Sequence, residues 1–273
     1  MRVYISADIE GVAGVVTRAH LGPEGFEYEW ARATMTEEVN AAIRGARAAG
    51  AGEIVVSDSH GNGQNILPDR LEPDVTLVRS WPRPLGMMEG VDAGEYACAL
   101  FVGYHAGASN PRGCLSHTWS SRVLSALRLN GRDASETWIS AAIAGHFGVP
   151  IALVTGDDVY VEEAKAMLGD VGGVVTKYSL GTMSARCRRP KDVQEDIAGA
   201  AREAVGRAGA LRPLRIGTPV AVDIDMRSRM AAELLSYLPW IERRGTLGVR
   251  FEAQDMIAVS KMLGFLTTYQ PDL

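Results

Sequence analysis

Residues 1–11 read Met-Arg-Val-Tyr-Ile-Ser-Ala-Asp-Ile-Glu-Gly. The short apolar run Val3–Ala7 predicts a buried β-strand, since it is rich in β-branched and aromatic side chains. Two acidic residues, Asp8 and Glu10, follow the run, and Gly11 lets the backbone turn closely past a neighbour. In open parallel α/β sheets, ligands lie outside the carboxyl ends of the strands. The opening stretch therefore predicts both a sheet and the edge where its site lies.

The same alternation continues through the first half of the chain. Thr34 and Glu37 form a capping-box pattern that predicts a helix start, and Gly50 is a plausible stop. A second helix is expected from Asp133 or Ser135 to about residue 147. Further strands are predicted at 53–57, 75–79, 97–102, 123–129 and 150–155. This β-α-β order predicts an α/β fold, with a Rossmann-like, largely parallel sheet and helices on both faces.

The pattern changes beyond about Lys177. Helical periodicity covers residues 190–207, 228–238 and a last segment that Asp255 opens, with predicted strands at 219–223 and 247–252 between them. We expect a smaller C-terminal α+β domain. The predicted division is a Rossmann-like metal-binding catalytic domain at 1–185 and the α+β domain at 186–273.

Composition excludes several classes of function. The chain has 273 residues and a net charge of −5, without a basic block, so nucleic-acid and anionic-membrane binding are disfavoured. Three cysteines, an odd count without short spacing, argue against a disulfide framework or a cysteine zinc module. No signal peptide and no uninterrupted membrane span are recognised. We expect a cytoplasmic protein without nucleic-acid or membrane partners.

Acidic residues and histidines follow neighbouring predicted strands. Asp8 and Glu10 follow the first strand, His60 follows the strand at 53–57, and His105 follows the strand at 97–102. Each residue alone is compatible with a structural role. Together, carboxylates sharing one small volume repel unless a cation neutralises them. Imidazole and carboxylate without thiolate suit zinc, with Mn²⁺ or Co²⁺ as alternatives, and Asp8 is placed to bridge two ions.

Other chemistries find less support. No Gly-x-Ser-x-Gly elbow accompanies the serines near the histidines, which disfavours serine nucleophilic catalysis. The chain also lacks a P-loop and a Gly-x-Gly-x-x-Gly after its first strand, so dinucleotide or ATP binding is disfavoured. Asp58 is expected either to orient His60 or its loop, or only to form a turn. Asp157 and Asp158 are expected to cap the next helix.

Taken together, these motifs resemble the DppA-type D-aminopeptidases, a family of dinuclear zinc peptidases. Each motif is short, but their order along residues 1–160 is specific. The matching stretches are 6–11 (Ser-Ala-Asp-Ile-Glu-Gly), 35–38 (Met-Thr-Glu-Glu), 57–60 (Ser-Asp-Ser-His), 88–90 (Met-Glu-Gly), 103–106 (Gly-Tyr-His-Ala), 115–117 (Leu-Ser-His) and 156–158 (Gly-Asp-Asp).

The resemblance implies two Zn²⁺ ions per chain. Asp8 would bridge both ions, and Glu10 and His60 would complete the protein ligands of one of them. His105 and Glu136 would serve the other, with Asp133 as the competitor for Glu136. His117 matches the family's catalytic histidine, as general acid/base or as a group that stabilises the oxyanion.

The resemblance also implies an activity and an assembly. The expected function is hydrolysis of the N-terminal peptide bond of short peptides by a zinc aminopeptidase, through a metal-bridging hydroxide, with a preference for D-amino acids such as D-Ala. The expected partners are a short peptide substrate and further copies of the chain, in a homo-oligomer that is a decamer by family resemblance. Three alternatives stay open: a metal-dependent amidase, an L-selective aminopeptidase, and a non-catalytic peptide-binding protein.

Overall fold

A computed structural model describes residues 1–269 as two β-sheets with six α-helices around them. The strands in chain order are β1 (Arg2–Ala7), β2 (Glu53–Asp58), β3 (Thr76–Val78), β4 (Cys98–Val102), β5 (Leu124–Leu129), β6 (Arg132–Asp133), β7 (Ile151–Asp157), β8 (Gly172–Gly181), β9 (Ser184–Cys187), β10 (Val220–Met226), β11 (Glu242–Arg244) and β12 (Gly248–Ala253). The helices are α1 (Tyr28–Ala48), α2 (Glu136–His146), α3 (Asp158–Leu168), α4 (Pro190–Gly206), α5 (Arg229–Leu235) and α6 (Met256–Thr268).

The larger sheet has the order β3-β2-β1-β4-β7-β8-β9. All of its pairs are parallel except β8 with β9, which is antiparallel. Strand β1 therefore lies between β2 and β4, and the carboxyl ends of all three open onto one edge. The predicted fold class, a largely parallel α/β sheet with helices on both faces, is confirmed.

Alternating side chains of β1 serve two hydrophobic cores. Val3 and Ile5 face α1 and α4, where Ile43 and Ile197 are fully buried. Tyr4 lies in the opposite core, together with α2, α3 and the smaller sheet. This smaller sheet is antiparallel, with the order β11-β12-β10-β5-β6. Both faces of the larger sheet are covered, which explains why its central strands β1, β4 and β7 are mostly apolar.

The two sheets divide the chain differently from the predicted division at 185/186. Helix α4 packs against α1 and the larger sheet, although it follows that position. Strands β5 and β6 precede the position, yet β5 pairs with β10 in the smaller sheet. The division of the chain into separate domains at 1–185 and 186–273 stays a prediction.

The predicted start of the first helix at Thr34 is wrong. Helix α1 begins at Tyr28, and Glu27 precedes it with φ of 63°. The Thr34 hydroxyl donates to the Trp30 carbonyl at 3.0 Å, a bond made inside the helix and not at its cap. Local hydrogen bonding by threonine is equally available in both settings, so the sequence pattern alone did not separate them.

Helix α2 begins as expected, and the structure selects the cap. The Ser135 hydroxyl accepts a hydrogen bond from Trp138 N at 3.2 Å, and Glu136 is the first helical residue.

Within residues 1–269, no helix has both the length and the apolar character needed to cross a bilayer.

Candidate metal centre

Three neighbouring strands place four predicted site residues at one edge of the larger sheet. Asp8 and Glu10 follow β1, His60 follows β2, and His105 follows β4. The backbone of Gly11 crosses the segment after β4, because Gly11 N donates to Gly103 O at 2.7 Å. A Cβ atom at this position would lie 1.9 Å from Tyr104 O, so only glycine permits the crossing.

Asp8 lies between two histidines. Its Oδ1 atom is 3.2 Å from His60 Nδ1, and its Oδ2 atom is 3.5 Å from His105 Nε2. Glu10 Oε2 lies 3.0 Å from the same Nδ1 atom of His60. Both carboxylates are at most 2% exposed. Asp8 therefore directs one carboxylate oxygen toward His60 and the other toward His105.

Glu136 and His117 complete the cluster from the other side. Glu136 Oε2 lies 3.4 Å from His105 Nε2, and Oε1 lies 3.5 Å from His117 Nε2. The rings of His105 and His117 stack with their centroids 4.1 Å apart. By contrast, Asp133 pairs with Arg128 in the smaller sheet, at 3.2 Å. The structure thus brings Glu136, and not its competitor, to the other predicted residues.

Backbone carbonyls hold the outer nitrogen of each histidine. His60 Nε2 lies 2.8 Å from Leu21 O, His105 Nδ1 lies 2.9 Å from Ala106 O, and His117 Nδ1 lies 2.9 Å from Leu115 O. A carbonyl only accepts, so these ring nitrogens donate. In the neutral ring, the other nitrogen then turns its lone pair toward the carboxylates, an arrangement typical of metal-bound histidines.

The donor set passes a direct test of fit to metal. Within the described residues, three buried atoms of this cluster have no hydrogen-bond partner of good geometry: Asp8 Oδ2, Glu10 Oε2 and His105 Nε2. In the same part of the chain, ligand atoms within 4.8 Å of one another occur in three groups, which are Asp8–Glu10–His60, Asp8–His105–Glu136 and Glu10–His105–His117. Buried oxygens and nitrogens without partners are costly, and divalent cations would satisfy them.

The electrostatics of the cluster indicate the same need for positive charge. Burial, followed by the charge of Glu10, raises the pKa of Asp8 to about 7. Burial alone would lower the pKa of His105, but the charge and hydrogen bond of Glu136, together with the charges of Glu10 and Asp8, outweigh it and raise the pKa to about 10. The pKa of His60 is likewise well above its usual value, because Glu10 and Asp8 outweigh burial. Protons bound to the histidines balance charge that a metal ion would otherwise neutralise.

The comparisons with known proteins agree with the site. The sequence profile of the D-aminopeptidase family matches residues 1–265. The chain belongs to the D-aminopeptidase family. A D-aminopeptidase of Bacillus subtilis (strain 168) is 30% identical over 268 residues, which cover 98% of this chain and 97% of the relative. The solved structure of the "Zn-dependent D-aminopeptidase DppA from Bacillus subtilis, a self-compartmentalizing protease" superposes with a TM-score of 0.91 at 29% identity, covering 99% of this chain and 100% of that one.

In this member of the family, Asp58 holds the loop that carries His60. Its carboxylate accepts from Asn65 N at 2.5 Å, from Asn65 Nδ2 at 2.8 Å and from Ile66 N at 2.7 Å. The Asn65 amide also donates to His60 O at 2.7 Å. Asp58 therefore orders the loop from 59 to 66, and the first of its two predicted roles fits the structure.

The predicted cap at the next helix is also found. Asp157 Oδ1 accepts from Tyr160 N at 2.7 Å, and its other oxygen accepts from Cys114 N at 2.8 Å. Asp158 instead accepts from Ser179 N at 2.8 Å. Asp157 thus joins α3 to the loop that leads to His117, while Asp158 binds the start of the β8–β9 hairpin.

Sequence reasoning missed Lys177. This fully buried side chain donates to the backbone carbonyls of Glu10, Val12 and Val15, with distances of 3.1 Å to Val12 O and 2.6 Å to Val15 O. Burial lowers its pKa, although nearby acids oppose this. A lysine inside a strand is usually assigned to the surface, so no local pattern would reveal that it fixes the loop after Glu10.

A cavity of about 360 Å³ opens over the cluster. The segment 80–95 contributes Trp81, Pro82, Arg83 and Met87 to its lining. Trp119, from the loop after His117, also lines the cavity. Sequence reasoning did not single out Trp81 or Trp119 as aromatic walls. The remaining lining residues, apart from the cluster, are Ser59, Gly61, Ser120, Arg122, Gly264, Thr267 and Thr268.

We expect Asp58→Ala to lower the free energy of unfolding by about 3 kcal/mol, because three buried donors lose their charged acceptor. Zinc affinity should fall as well, since the loop that carries His60 is released. Chemical denaturation with and without added zinc measures both effects. Asp69→Ala removes an exposed carboxylate in the following segment and is the matched control. Equal stabilities of the two variants would contradict the role of Asp58.

Proposed function

We propose that this chain is a zinc-dependent aminopeptidase that removes the N-terminal residue of short peptides, with a preference for D-amino acids such as D-Ala. One observation carries the proposal: six acidic and imidazole side chains converge at the floor of a cavity in a member of the D-aminopeptidase family. The name of the family supports the stereochemical preference, and the zinc-dependent relative supports the metal.

Two ions per chain fit the distribution of donors. Glu10 and His60 would hold one zinc ion, and His105 and Glu136 the other, with Asp8 shared between them. When bound, zinc supplies Lewis acidity and lowers the pKa of water from 15.7 toward about 7. Mn²⁺ and Co²⁺ bind the same donor types. The assignment of each ligand and the count of two are part of the proposal.

His117 is the best placed proton carrier. Its side chain is 25% exposed and lines the cavity, whereas His105 beneath it is buried. The bond from Nδ1 to Leu115 O fixes the ring, so Nε2 faces Glu136 and the cavity. A proton accepted or donated at Nε2 would serve either the attacking water or the leaving amine.

A free N-terminus suits the proposed metal site. The amino group at the start of a peptide is, when deprotonated, a nitrogen donor of the kind that zinc binds. An internal peptide bond offers no such donor, which favours removal of the first residue over cleavage within a chain.

The relative described as self-compartmentalizing supports assembly of this chain into a homo-oligomer, with a decamer as the expected form. A closed particle would restrict access to short peptides, in keeping with the size of the cavity. The decamer and the cytoplasmic location stay predictions.

A substrate panel tests the function directly. The zinc-loaded protein should hydrolyse D-Ala p-nitroanilide faster than the L-Ala form, and chelation should abolish the activity, because the site depends on metal. Absorbance of released p-nitroaniline, with zinc measured by mass spectrometry, gives the result. Equal rates on both forms indicate another specificity on the same site. Hydrolysis of neither, with zinc bound, favours a peptide-binding protein and contradicts the proposal.

For His117→Ala we expect turnover to fall by about 10²–10⁴-fold, the usual contribution of a general acid/base. Zinc should remain near two ions per chain, because the five proposed ligands are untouched. His146→Ala changes an exposed histidine remote from the cavity and serves as the control. If the first variant loses zinc, His117 is a ligand, as the group Glu10–His105–His117 also permits.

A pair of variants separates the two candidates for the fifth ligand. Glu136→Gln should bind about one zinc ion per chain, since the site shared with His105 loses a charged oxygen. Asp133→Asn should keep both ions, because Asp133 pairs with Arg128 outside the cluster. Metal analysis after dialysis gives the counts. Loss of zinc from the Asp133 variant alone would overturn the assignment.

A further inference from the structure

Two arginines line the cavity above the cluster, Arg83 and Arg122. Arg83 is buried and engaged on all three of its guanidinium nitrogens. It donates through Nε to Ser80 O, through Nη1 to Ser57 Oγ at 2.9 Å, and through Nη2 to Val78 O at 3.3 Å. Its face also lies 4.5 Å from the centre of the Trp81 ring. Arg83 is therefore part of the wall.

Arg122 differs in each of these respects. It is exposed, and in the part of the chain that the structure describes its side chain makes no salt bridge or hydrogen bond. The acids of the cavity floor are buried, so Arg122 marks the mouth and the carboxylates mark the bottom. A guanidinium without a protein partner at the rim of a cavity is available to a ligand.

The position of Arg122 is fixed by the chain on both sides. Val123 N and Leu124 N both donate to Ser120 O, at 3.1 and 3.0 Å, so Arg122 lies within a tight turn. Leu124, which begins β5, is 2% exposed and anchors the end of the turn. His117 precedes Arg122 by five residues, which limits their Cα separation to about 18 Å. A short peptide and the long arginine side chain together can bridge such a span.

We propose that Arg122 binds the C-terminal carboxylate of the substrate and so selects short peptides with a free C-terminus. The proposal rests on the proposed aminopeptidase function. A free dipeptide or tripeptide has an amino group at one end and a carboxylate at the other, about 7–10 Å away when extended. The cavity offers acids and metal donors at its floor and a guanidinium at its mouth. Arginine matches a carboxylate with two parallel hydrogen bonds, so the two ends of the peptide meet complementary groups.

This arrangement predicts the kinetic form of the effect. The carboxylate lies away from the scissile bond, so its contact with Arg122 is equally strong in the ground state and in the transition state. Such uniform binding lowers KM and leaves kcat nearly constant. A structural role of Arg122 in the turn would instead change kcat or stability for every substrate alike.

The test compares D-Ala-Gly with D-Ala-Gly amide, using the zinc-loaded full chain. The wild type should favour the free acid by roughly tenfold in kcat/KM, mainly through KM, which corresponds to about 1.4 kcal/mol. Arg122→Gln should bring the ratio of acid to amide close to one, Arg122→Lys should keep part of it, and Arg122→Glu should invert it. Arg229→Gln alters an exposed arginine outside the cavity and should keep the wild-type ratio.

The failures of the two proposals are distinguishable. A wild type that cleaves both peptides equally, or an Arg122→Gln variant that keeps the wild-type ratio, overturns the role of Arg122 and leaves the aminopeptidase in place. A zinc-loaded wild type that cleaves neither peptide nor D-Ala p-nitroanilide overturns both. An equal fall of kcat for acid and amide in every Arg122 variant assigns the residue to the structure of the turn and also overturns the proposal.

Discussion

The structure depends on the burial of three carboxylates, Asp8, Glu10 and Glu136, within a few ångströms of one another. Like charges so close together in a medium of low dielectric constant repel strongly, and burial removes the water that would screen them. A proton on one of the carboxyl groups or nearby positive charge makes the cluster stable, and the raised pKa of Asp8 reflects this repulsion. Protonated histidines provide some of the positive charge, as the raised pKa values of His60 and His105 indicate. Divalent ions would provide more charge and would also satisfy the buried atoms that lack partners.

The surrounding fold supplies rigidity that the cluster cannot provide for itself. Repelling groups move apart unless their backbones are fixed, and the loops after β1, β2 and β4 are fixed by different means. Lys177 holds the carbonyls after Glu10, Asp58 holds the loop of His60, and the close crossing at Gly11 ties the first loop to the segment of His105. Each of these contacts links parts of the chain that are distant in sequence, except those of Asp58, which lie within one loop. Contacts along the whole edge of the larger sheet therefore keep the three carboxylates close together despite their repulsion.

The sequence predicted those features that depend on local pattern. Apolar runs followed by acids or histidines indicated β1, β2 and β4 together with Asp8, Glu10, His60 and His105, because strand ends in a parallel sheet converge by geometry alone. The start of α1 was wrong, since Thr34 bonds within the helix as readily as at a cap. The choice between Glu136 and Asp133 needed the cap at Ser135, which sets where the helix begins. The long-range partners of Lys177 and the tryptophan walls leave no periodic signal, so the sequence could not reveal them.

Selection of a D-residue requires more than the floor of the cavity. A chiral carbon is distinguished only when at least three of its substituents meet fixed groups. The floor can fix the amino group and the scissile carbonyl, and these two contacts are identical for both enantiomers. The third contact must come from the walls of the cavity, which include Trp81, Met87 and Trp119. A carboxylate contact at Arg122 would add a fourth fixed point that holds the rest of the peptide. With the peptide held there, the first residue could not turn so that its hydrogen atom and its side chain change places. Under the proposed function, stereochemical preference would depend on the wall and the mouth and hydrolysis on the floor, so one metal centre would be compatible with more than one specificity.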